Sequence, residues 1–214
     1  MSEPTTVIIT RHGETEWNRQ WRHQGHLDSP LTSLGIFQAQ ALAERLKGLS
    51  IRAIYSSDLG RAMRTAEILA TALFLEVQTE PDLRETSLGI SQGLTREEFQ
   101  VEYPLLHEQF LKRDPDFALP GGESPRQFQH RTIASLQAIA ARHPGQTVLI
   151  VCHGGNLNCI FREIFHLPPG EPRNFSLKNV SYNQFTVTDG SWRLETWGDI
   201  SHLRNLPVLD ELRT

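Results

Sequence analysis

Residues 6–17, Thr-Val-Ile-Ile-Thr-Arg-His-Gly-Glu-Thr-Glu-Trp, form an apolar run that stops at His12-Gly13. Residues 147–156, Thr-Val-Leu-Ile-Val-Cys-His-Gly-Gly-Asn, repeat this pattern, and a helical pattern over 157–166 follows. Such β-branched runs bounded by glycine are typical of strands buried on both faces of a parallel sheet. Since ligands of open α/β sheets bind beyond the carboxyl ends of the strands, His12 and His153 are predicted to meet in one site. The alternative is that each histidine only caps its own strand.

Strand and helix patterns alternate along the rest of the chain. We predict strands at 51–55 and 75–79. The first predicted helix begins at about Thr32 and stops at Gly48, and a third lies over 125–142. Between them, a second helix is predicted to reach about residue 73, with N-cap side chains offered by Ser56, Ser57 and Asp58. The stretch that holds Pro104 and Pro115 is interpreted as an irregular helical insertion that carries specificity. Residues 180–188 and 192–196 predict a hairpin with a type I′ turn at Asp189-Gly190. The pattern predicts an α/β protein with a mostly parallel sheet and a C-terminal hairpin.

The composition bounds the class of protein. With 214 residues, 38% hydrophobic and 21% charged, the chain is typical of one globular domain, predicted over 1–206 with a mobile tail at 207–214. A net charge of −4 without a run of lysine or arginine argues against a nucleic-acid surface. No apolar run approaches the roughly 18 residues of a membrane span, so we expect no membrane association and a cytoplasmic location. Cys152 and Cys159 are predicted to be buried, reduced thiols.

Cationic residues gather at three predicted strand-to-helix junctions. Arg11 and His12 end the first strand, Arg61 and Arg64 lie in the first turns of the helix after Ser57, and His153 ends the later strand. Helix N-terminal N–H groups and arginine forks suit the oxygens of a phosphoryl group. These junctions therefore predict a site for a small anion. The alternative interpretation is that either Arg61 or Arg64 does not bind the anion and only forms a surface ion pair with Glu67 or Glu85.

Five ordered motifs resemble those of the histidine phosphatase superfamily, which has the phosphoglycerate-mutase-like fold. They are Arg11-His12-Gly13-Glu14-Thr15 with Trp17-Asn18 and the continuation from Gln24-Gly25 to Thr32, Tyr55 to Ala62 with Thr65-Ala66, Leu83-Arg84-Glu85, Gly121-Gly122-Glu123-Ser124, and His153-Gly154. The resemblance covers most of the chain. It implies a three-layer αβα sandwich around a mostly parallel sheet.

The resemblance also implies roles for individual residues. His12 would be the nucleophile, with Arg11, Arg61 and His153 forming the rest of the phosphate pocket and Glu85 donating the proton. Asn18, Gln24, Gly25 and Gly154 would line the pocket. These roles agree with the chemistry, because a neutral imidazole can attack phosphorus through one nitrogen while the other donates a hydrogen bond. Glu14 is the alternative acid, although it can also sit at a helix start, where its charge favours the dipole.

A metal site is not expected. Nine histidines are many for this length, but their spacing contains no His-x-x-x-His pair and arginines beside the two His-Gly turns would repel a cation. No cofactor is expected either. The other seven histidines, His23, His26, His107, His130, His143, His166 and His202, are interpreted as solvent-facing or loop residues. Within the resemblance, His202 is the one that a C-terminal segment can bring back near the substrate.

Three functional classes follow. A phosphomonoesterase for a small phosphorylated metabolite leads, a phosphoglycerate mutase is the second enzyme class, and a silent phosphate-binding module is the third. The silent module is disfavoured because the four residues His12, Arg61, His153 and Glu85 are all present. The mutase is disfavoured because residues 86–120 form a short insertion with few basic residues. Phosphoserine is the first substrate to test, with phosphorylated sugars, 3-phosphoglycerate and the phosphoribosyl intermediate of cobalamin synthesis as alternatives. The C-terminal hairpin offers a sheet edge for a homodimer.

Overall fold

The computed structural model describes residues 3–206 of the chain. The predicted tail at 207–214 lies outside the described residues. The strands are β1 (Thr5–Arg11), β2 (Ile51–Ser56), β3 (Val77–Thr79), β4 (Thr147–Cys152), β5 (Tyr182–Thr188) and β6 (Ser191–Asp199). The helices are α1 (Glu16–Arg19), α2 (Ser33–Leu46), α3 (Gly60–Leu73), α4 (Arg96–Glu102), α5 (Pro104–Leu111), α6 (Pro125–Ala141) and α7 (Gly154–Ile164).

One mostly parallel six-stranded sheet organises the fold, in the order β3-β2-β4-β1-β5-β6. The first four of these strands run parallel, while β5 is antiparallel to β1 and β6 to β5. The two strands that were predicted to be buried are neighbours, with Thr6 opposite Thr147 and Arg11 opposite Cys152. The next residues in each chain segment, His12 and His153, therefore leave the sheet side by side at its carboxyl edge.

Helices cover both faces of the sheet, which confirms the three-layer αβα architecture. Along β1, Val7 and Ile9 face the core under α6 and α7, whereas Ile8 faces the core under α2 and α3. Side chains of a strand alternate between its two faces, so a strand buried on both sides must be apolar at every position. This explains why the first segment reads as a continuous apolar run and not as an alternating one.

The predicted helices form, with differences at their ends. α6 begins as predicted, because the Ser124 hydroxyl oxygen accepts a hydrogen bond from Gln127 N–H and the Gln127 side-chain oxygen accepts one from Ser124 N–H. α7 begins at Gly154, three residues before its predicted start. Strand β3 is shorter than predicted, and β6 extends further than 192–196. The turn that joins β5 to β6 has positive φ at Asp189 (48°) and Gly190 (78°), as a type I′ turn requires.

The insertion between Glu85 and α6 contains two short helices. α4 begins with a capping box formed by Thr95 and Glu98. It ends at Tyr103, because Pro104 cannot continue the helix and instead starts α5. Phe99 is fully buried and anchors α4. Within residues 3–206, no helix is long and apolar enough to cross a membrane. Cys152 and Cys159 are both buried free thiols, as predicted.

Candidate active site

His12 lies at the carboxyl end of β1 and is 2% exposed. Its Nδ1 is 2.8 Å from the carbonyl oxygen of Gly13. Because a carbonyl can only accept a hydrogen bond, Nδ1 carries the proton and Nε2 keeps its lone pair. Gly13 has no room for a side chain, since a Cβ there would lie 2.5 Å from the oxygen of Gly35. The local backbone thus fixes one ring proton on Nδ1, so that in the neutral imidazole the lone pair is on Nε2.

His153 lies beside His12, with 5.3 Å between the ring centroids. The prediction that the two distant histidines meet at the sheet edge is therefore correct. The Nε2 atom of His153 is 2.8 Å from the Oγ atom of Ser57. Burial lowers the pKa of both imidazoles well below its usual value, and the positive charges of Arg61 and Arg11 lower it further. At neutral pH both rings are uncharged in the absence of an anion.

Arg61 is almost fully buried in the first turn of α3. Its guanidinium donates to the carbonyl oxygens of Leu27 (2.8 Å) and Gly25 (2.7 Å) and to the Asp28 carboxylate (2.9 Å). Burial lowers the pKa of Arg61, while the carboxylates of Glu85 and Asp28 oppose this effect. The loop at 25–28 therefore fixes a buried positive charge at the helix start.

The predicted capping of α3 is wrong. The N-cap residue is Leu59, which has no side-chain hydrogen bond to the helix, so none of Ser56, Ser57 or Asp58 caps it. The carboxylate of Asp28 accepts hydrogen bonds from Gly60 N–H (2.5 Å) and Arg61 N–H (3.3 Å). A residue 32 positions earlier in the chain thus caps α3 and also holds the Arg61 side chain. The Ser57 hydroxyl accepts a hydrogen bond from Leu59 N–H at 3.3 Å, ahead of the helix, and also contacts His153.

Arg11 completes the cationic part of the site. Its side chain is 5% exposed and donates to the carbonyl oxygen of Leu177 at 3.0 Å. Among the predicted lining residues, Asn18 and Gln24 are buried, and Gly25 contributes the carbonyl that holds Arg61. The Asn18 side chain also caps its own short helix, so its local role is partly structural.

Glu85 lies in the loop after β3, outside the regular elements. Its carboxylate accepts hydrogen bonds from Thr86 N–H (2.8 Å) and from Gly155 N–H (3.1 Å) in the first turn of α7. A Cβ on Gly155 would lie 2.1 Å from a Glu85 oxygen, so only glycine leaves room for this contact. The structure therefore brings Glu85 to the His153-Gly154 turn.

The alternative acid, Glu14, lies elsewhere. Its carboxylate is buried and accepts a hydrogen bond from the Thr32 hydroxyl at 2.9 Å, beside the start of α2. This position fits the interpretation that Glu14 lies at a helix start. Arg64 also lies outside the site. Its exposed guanidinium pairs with Glu67 at 3.0 Å, so of the two helix arginines Arg64 is the one that forms a surface ion pair.

The remaining histidines differ from the expectation in part. His107 is buried on α5, because it packs edge-on against Phe99, and is not solvent-facing. His202 donates from Nε2 to the Val180 carbonyl (2.9 Å), and its Nδ1 lies 3.3 Å from the guanidinium of Arg45 on α2. It does not line the cavity that opens from Arg11, Glu85 and Gly154, so the expected approach of His202 to the substrate is not seen.

A cavity of about 540 Å³ opens from Arg11, Glu85 and Gly154. The insertion, the start of α6 and the residues before β5 form its outer walls, which include the aromatic rings of Phe99, Phe110, Phe117 and Phe128. His12 and His153 are buried next to the lining residues Arg11 and Gly154. Among residues 3–206, no group of three or more His, Cys, Asp or Glu side chains is placed to hold a metal ion.

Sequence reasoning missed two residues that build the site. Asp28 and Ser57 both lie inside the quoted motifs, so their presence in a motif was the available indication of a role. Their partners, Arg61 and His153, are 33 and 96 positions away. Local pattern does not reveal such pairs.

Comparison with known proteins agrees with this geometry. Residues 7–200 match the model of the histidine phosphatase superfamily, branch 1. The chain is 40% identical to a probable phosphoglycerate mutase GpmB of Cronobacter sakazakii, over 97% of this chain and 98% of the relative. It is 39% identical to a metal-independent phosphoserine phosphatase of Arabidopsis thaliana, over 97% of this chain and 87% of the relative.

Among solved structures, Bacillus stearothermophilus YhfR superposes with a TM-score of 0.85 at 35% identity, covering 93% of this chain and 99% of that one. The match to the family model spans nearly the whole described chain, and several relatives exceed 30% identity over almost their full length. This chain is an enzyme that belongs to the histidine phosphatase superfamily.

Proposed function

We propose that the chain is a phosphomonoesterase that hydrolyses a small phosphorylated metabolite in two steps through a phosphohistidine at His12. The observation that carries the proposal is the His12 ring, whose Nδ1–H is bonded to Gly13 while Nε2 is left to attack. Around it stand a second imidazole and two buried arginines. This arrangement can hold a phosphoryl group and stabilise the charge on its equatorial oxygens.

In the first step, Nε2 of His12 forms a bond to phosphorus while the ester P–O bond breaks. The leaving alkoxide takes a proton from Glu85, which lies at the mouth of the pocket. In the second step, Glu85 takes a proton from water as the water oxygen attacks phosphorus and the N–P bond breaks. Inorganic phosphate leaves, and His12 and Glu85 return to their starting states.

Arg11, Arg61 and His153 would hold the phosphoryl oxygens, with Asn18, Gln24, Gly25 and Gly154 around them. No step of this scheme uses a metal ion. A bound phosphate dianion would offset the two guanidinium charges that disfavour protonation of His153. His153 would then be able to donate a hydrogen bond to phosphate from a cationic ring.

Phosphoserine is the first substrate that we propose, because one relative named a metal-independent phosphoserine phosphatase is 39% identical along almost all of this chain. Another relative is named a probable phosphoglycerate mutase, so mutase activity is an outcome that the experiment must detect. A mutase would convert 3-phosphoglycerate to its isomer without releasing phosphate.

The test is a panel of phosphorylated metabolites assayed with excess chelator, with release of inorganic phosphate as the readout. We expect phosphoserine to be cleaved faster than sugar phosphates and 3-phosphoglycerate. Equal cleavage of unrelated esters would exclude the phosphoserine assignment, and isomerisation without phosphate release would favour the mutase. Activity that is lost on chelation and restored by one divalent ion would contradict the metal-free scheme.

The covalent step has its own test. Rapid quenching at alkaline pH after mixing with ³²P-labelled substrate is expected to trap acid-labile, base-stable label on His12, and His12→Ala is expected to abolish both label and turnover. His166→Ala is the control, because His166 is exposed on the segment after α7. Full activity in His12→Ala, or label on another residue, would overturn the phosphohistidine mechanism.

A further inference from the structure

The loop that carries Glu85 has little regular structure of its own. It consists of a single 3-10 turn, Pro81–Leu83, followed by irregular backbone up to residue 88. Leu83 is fully buried and anchors the turn in the core. A general acid must nevertheless lie within hydrogen-bond reach of the proton acceptor, about 2.6–3.2 Å between heavy atoms. Some other part of the molecule must therefore hold the loop backbone in place.

Arg131, on the second turn of α6, uses all five of its N–H donors on this region. Two donors go to the carbonyl oxygens of Asp82 and Arg84, both at 2.8 Å, and one goes to the carbonyl of Glu85 itself at 2.9 Å. The other two go to the carboxylate of Glu123 at 2.9 and 2.5 Å. A guanidinium has five N–H groups in a rigid plane, so no donor is left over.

Glu123 closes the contact from the other side. Besides Arg131, its carboxylate accepts a hydrogen bond from Ser87 N–H at 2.8 Å, and its own N–H donates to the Ser87 carbonyl at 3.0 Å. Arg131 and Glu123 thus hold the loop before and after Glu85. Their charges balance each other, so the loop is held without an uncompensated positive charge near the acid.

The support behind this pair is rigid. α6 is 17 residues long, and Leu136 and Ile139 on it are fully buried in the core. The Arg131 guanidinium carbon lies 4.8 Å from the centre of the Phe128 ring. Phe128 in turn packs next to Gly155, whose N–H bonds to the Glu85 carboxylate. The same packed unit therefore fixes both the backbone and the side chain of Glu85.

We propose that Arg131 and Glu123 are positioning residues that set the geometry of proton transfer by Glu85. This inference rests on the proposed function. Neither residue needs to touch the substrate for this role. Displacement of a reacting group by about 1 Å can cost as much as 10²-fold in rate, so the loss of these hydrogen bonds should appear in the protonation step.

The test uses two substrates that differ in how much they need the acid. Phosphoserine, or the alkyl phosphate that the panel shows is cleaved fastest, releases an alkoxide that must be protonated, whereas p-nitrophenyl phosphate releases a weak base that hardly needs it. Arg131→Lys keeps the charge, but its ammonium group has only three donors and cannot serve three carbonyls and a carboxylate. The readout is kcat/KM on the alkyl ester divided by kcat/KM on the aryl ester, because kcat/KM reports the first step, whereas the second step is common to both esters.

We expect this ratio to fall about 10-fold to 100-fold in Arg131→Lys. Glu123→Gln is the second variant and is expected to lower the ratio in the same way, because the amide replaces one of the two acceptor oxygens with an NH2 group that faces a guanidinium donor. Arg126→Lys is the matched control on the first turn of α6, where an exposed arginine pairs with Asp116, and it should leave the ratio unchanged. Unfolded chain in a preparation lowers both rates equally and does not alter the ratio.

Glu85→Gln serves as the reference in the same assays. If Glu85→Gln lowers the ratio and Arg131→Lys does not, the assignment of Glu85 as the acid is supported and the positioning role of Arg131 is overturned. If wild type cleaves neither ester, or Glu85→Gln leaves the ratio unchanged, the proposed function or its acid fails instead. A fall of the ratio in Glu85→Gln, Arg131→Lys and Glu123→Gln, with Arg126→Lys unchanged, supports the proposal.

Discussion

At the scale of single residues, the assignment of the proton to Glu85 makes a sharp prediction. Glu85→Gln keeps the size of the side chain but removes the transferable proton. General-acid catalysis typically contributes 10²–10⁴-fold, so kcat/KM on phosphoserine, which reports the first step, is expected to fall by that order, whereas kcat/KM on p-nitrophenyl phosphate is expected to change only mildly. Steady-state kinetics on both esters measure the difference.

Glu14→Gln is the control for this prediction. Glu14 carries the same carboxyl group and is close to His12 in sequence, but its carboxylate accepts a hydrogen bond from Thr32 at the start of α2. Any loss in Glu14→Gln should be equal on both esters. A loss that depends on the leaving group in Glu14→Gln, and not in Glu85→Gln, would transfer the role of the acid to Glu14.

At the scale of elements, α3 depends on a cap from another part of the chain. Asp28→Asn removes the charge that accepts hydrogen bonds from Gly60 N–H and Arg61 N–H and from the Arg61 side chain. Loss of a helix cap typically costs about 0.5–2 kcal/mol, and because asparagine keeps one of the two acceptor oxygens we expect a loss at the lower end of this range in urea unfolding. Because Arg61 also loses its charged partner, inorganic phosphate should become a weaker competitive inhibitor.

The matched control for this change lies about two turns further along the same helix. Glu67→Gln breaks the exposed ion pair with Arg64, and such surface pairs contribute about 0–1 kcal/mol. Glu67→Gln should leave phosphate inhibition unchanged. Equal effects of the two substitutions on inhibition would contradict the view that Asp28 holds the phosphate pocket together.

At the scale of the whole molecule, buried histidines make stability depend on pH. Burial lowers the pKa of His12, His153, His23 and His202 in the folded chain below the usual value near 6.5. The unfolded chain therefore binds protons first as the pH falls, which favours unfolding. This stability is fully present above about pH 6.5 and is lost as the pH falls towards the folded-state pKa values.

We expect the free energy of unfolding to fall between about pH 6.5 and pH 5, by up to about 1.4 kcal/mol per pH unit for each histidine. Carboxylates with ordinary pKa values near 4 titrate mostly below this window. Urea unfolding across the window measures the slope of the unfolding free energy against pH. His153→Asn is expected to reduce this slope by the contribution of about one bound proton. A free energy of unfolding that stays constant or rises as the pH falls would contradict the prediction.

Much of the fold could be predicted from local pattern. The uninterrupted apolar runs that precede His12 and His153 indicated two central parallel strands, because only strands covered on both faces are apolar at every position. The capping box at Ser124 predicted the start of α6, and the Asp189-Gly190 pair predicted the turn of the hairpin. These features depend on contacts within a few residues, which the sequence displays directly.

The meeting of His12 and His153 was also predictable, because parallel strands carry their carboxyl ends to one edge of the sheet. The boundaries of β3 and α7 were less predictable, since tertiary contacts decide where the ends of an element stop.

Only the tertiary structure decided which polar groups pair within the site. The cap of α3 comes from Asp28, and Gly155 N–H reaches a Glu85 carboxylate 70 positions away. The five hydrogen bonds of Arg131 likewise go to residues far from it in sequence, apart from those to Glu123. Side-chain type shows that a group can donate or accept, whereas the choice of partner depends on which backbone atoms the folded sheet and helices bring within about 3 Å.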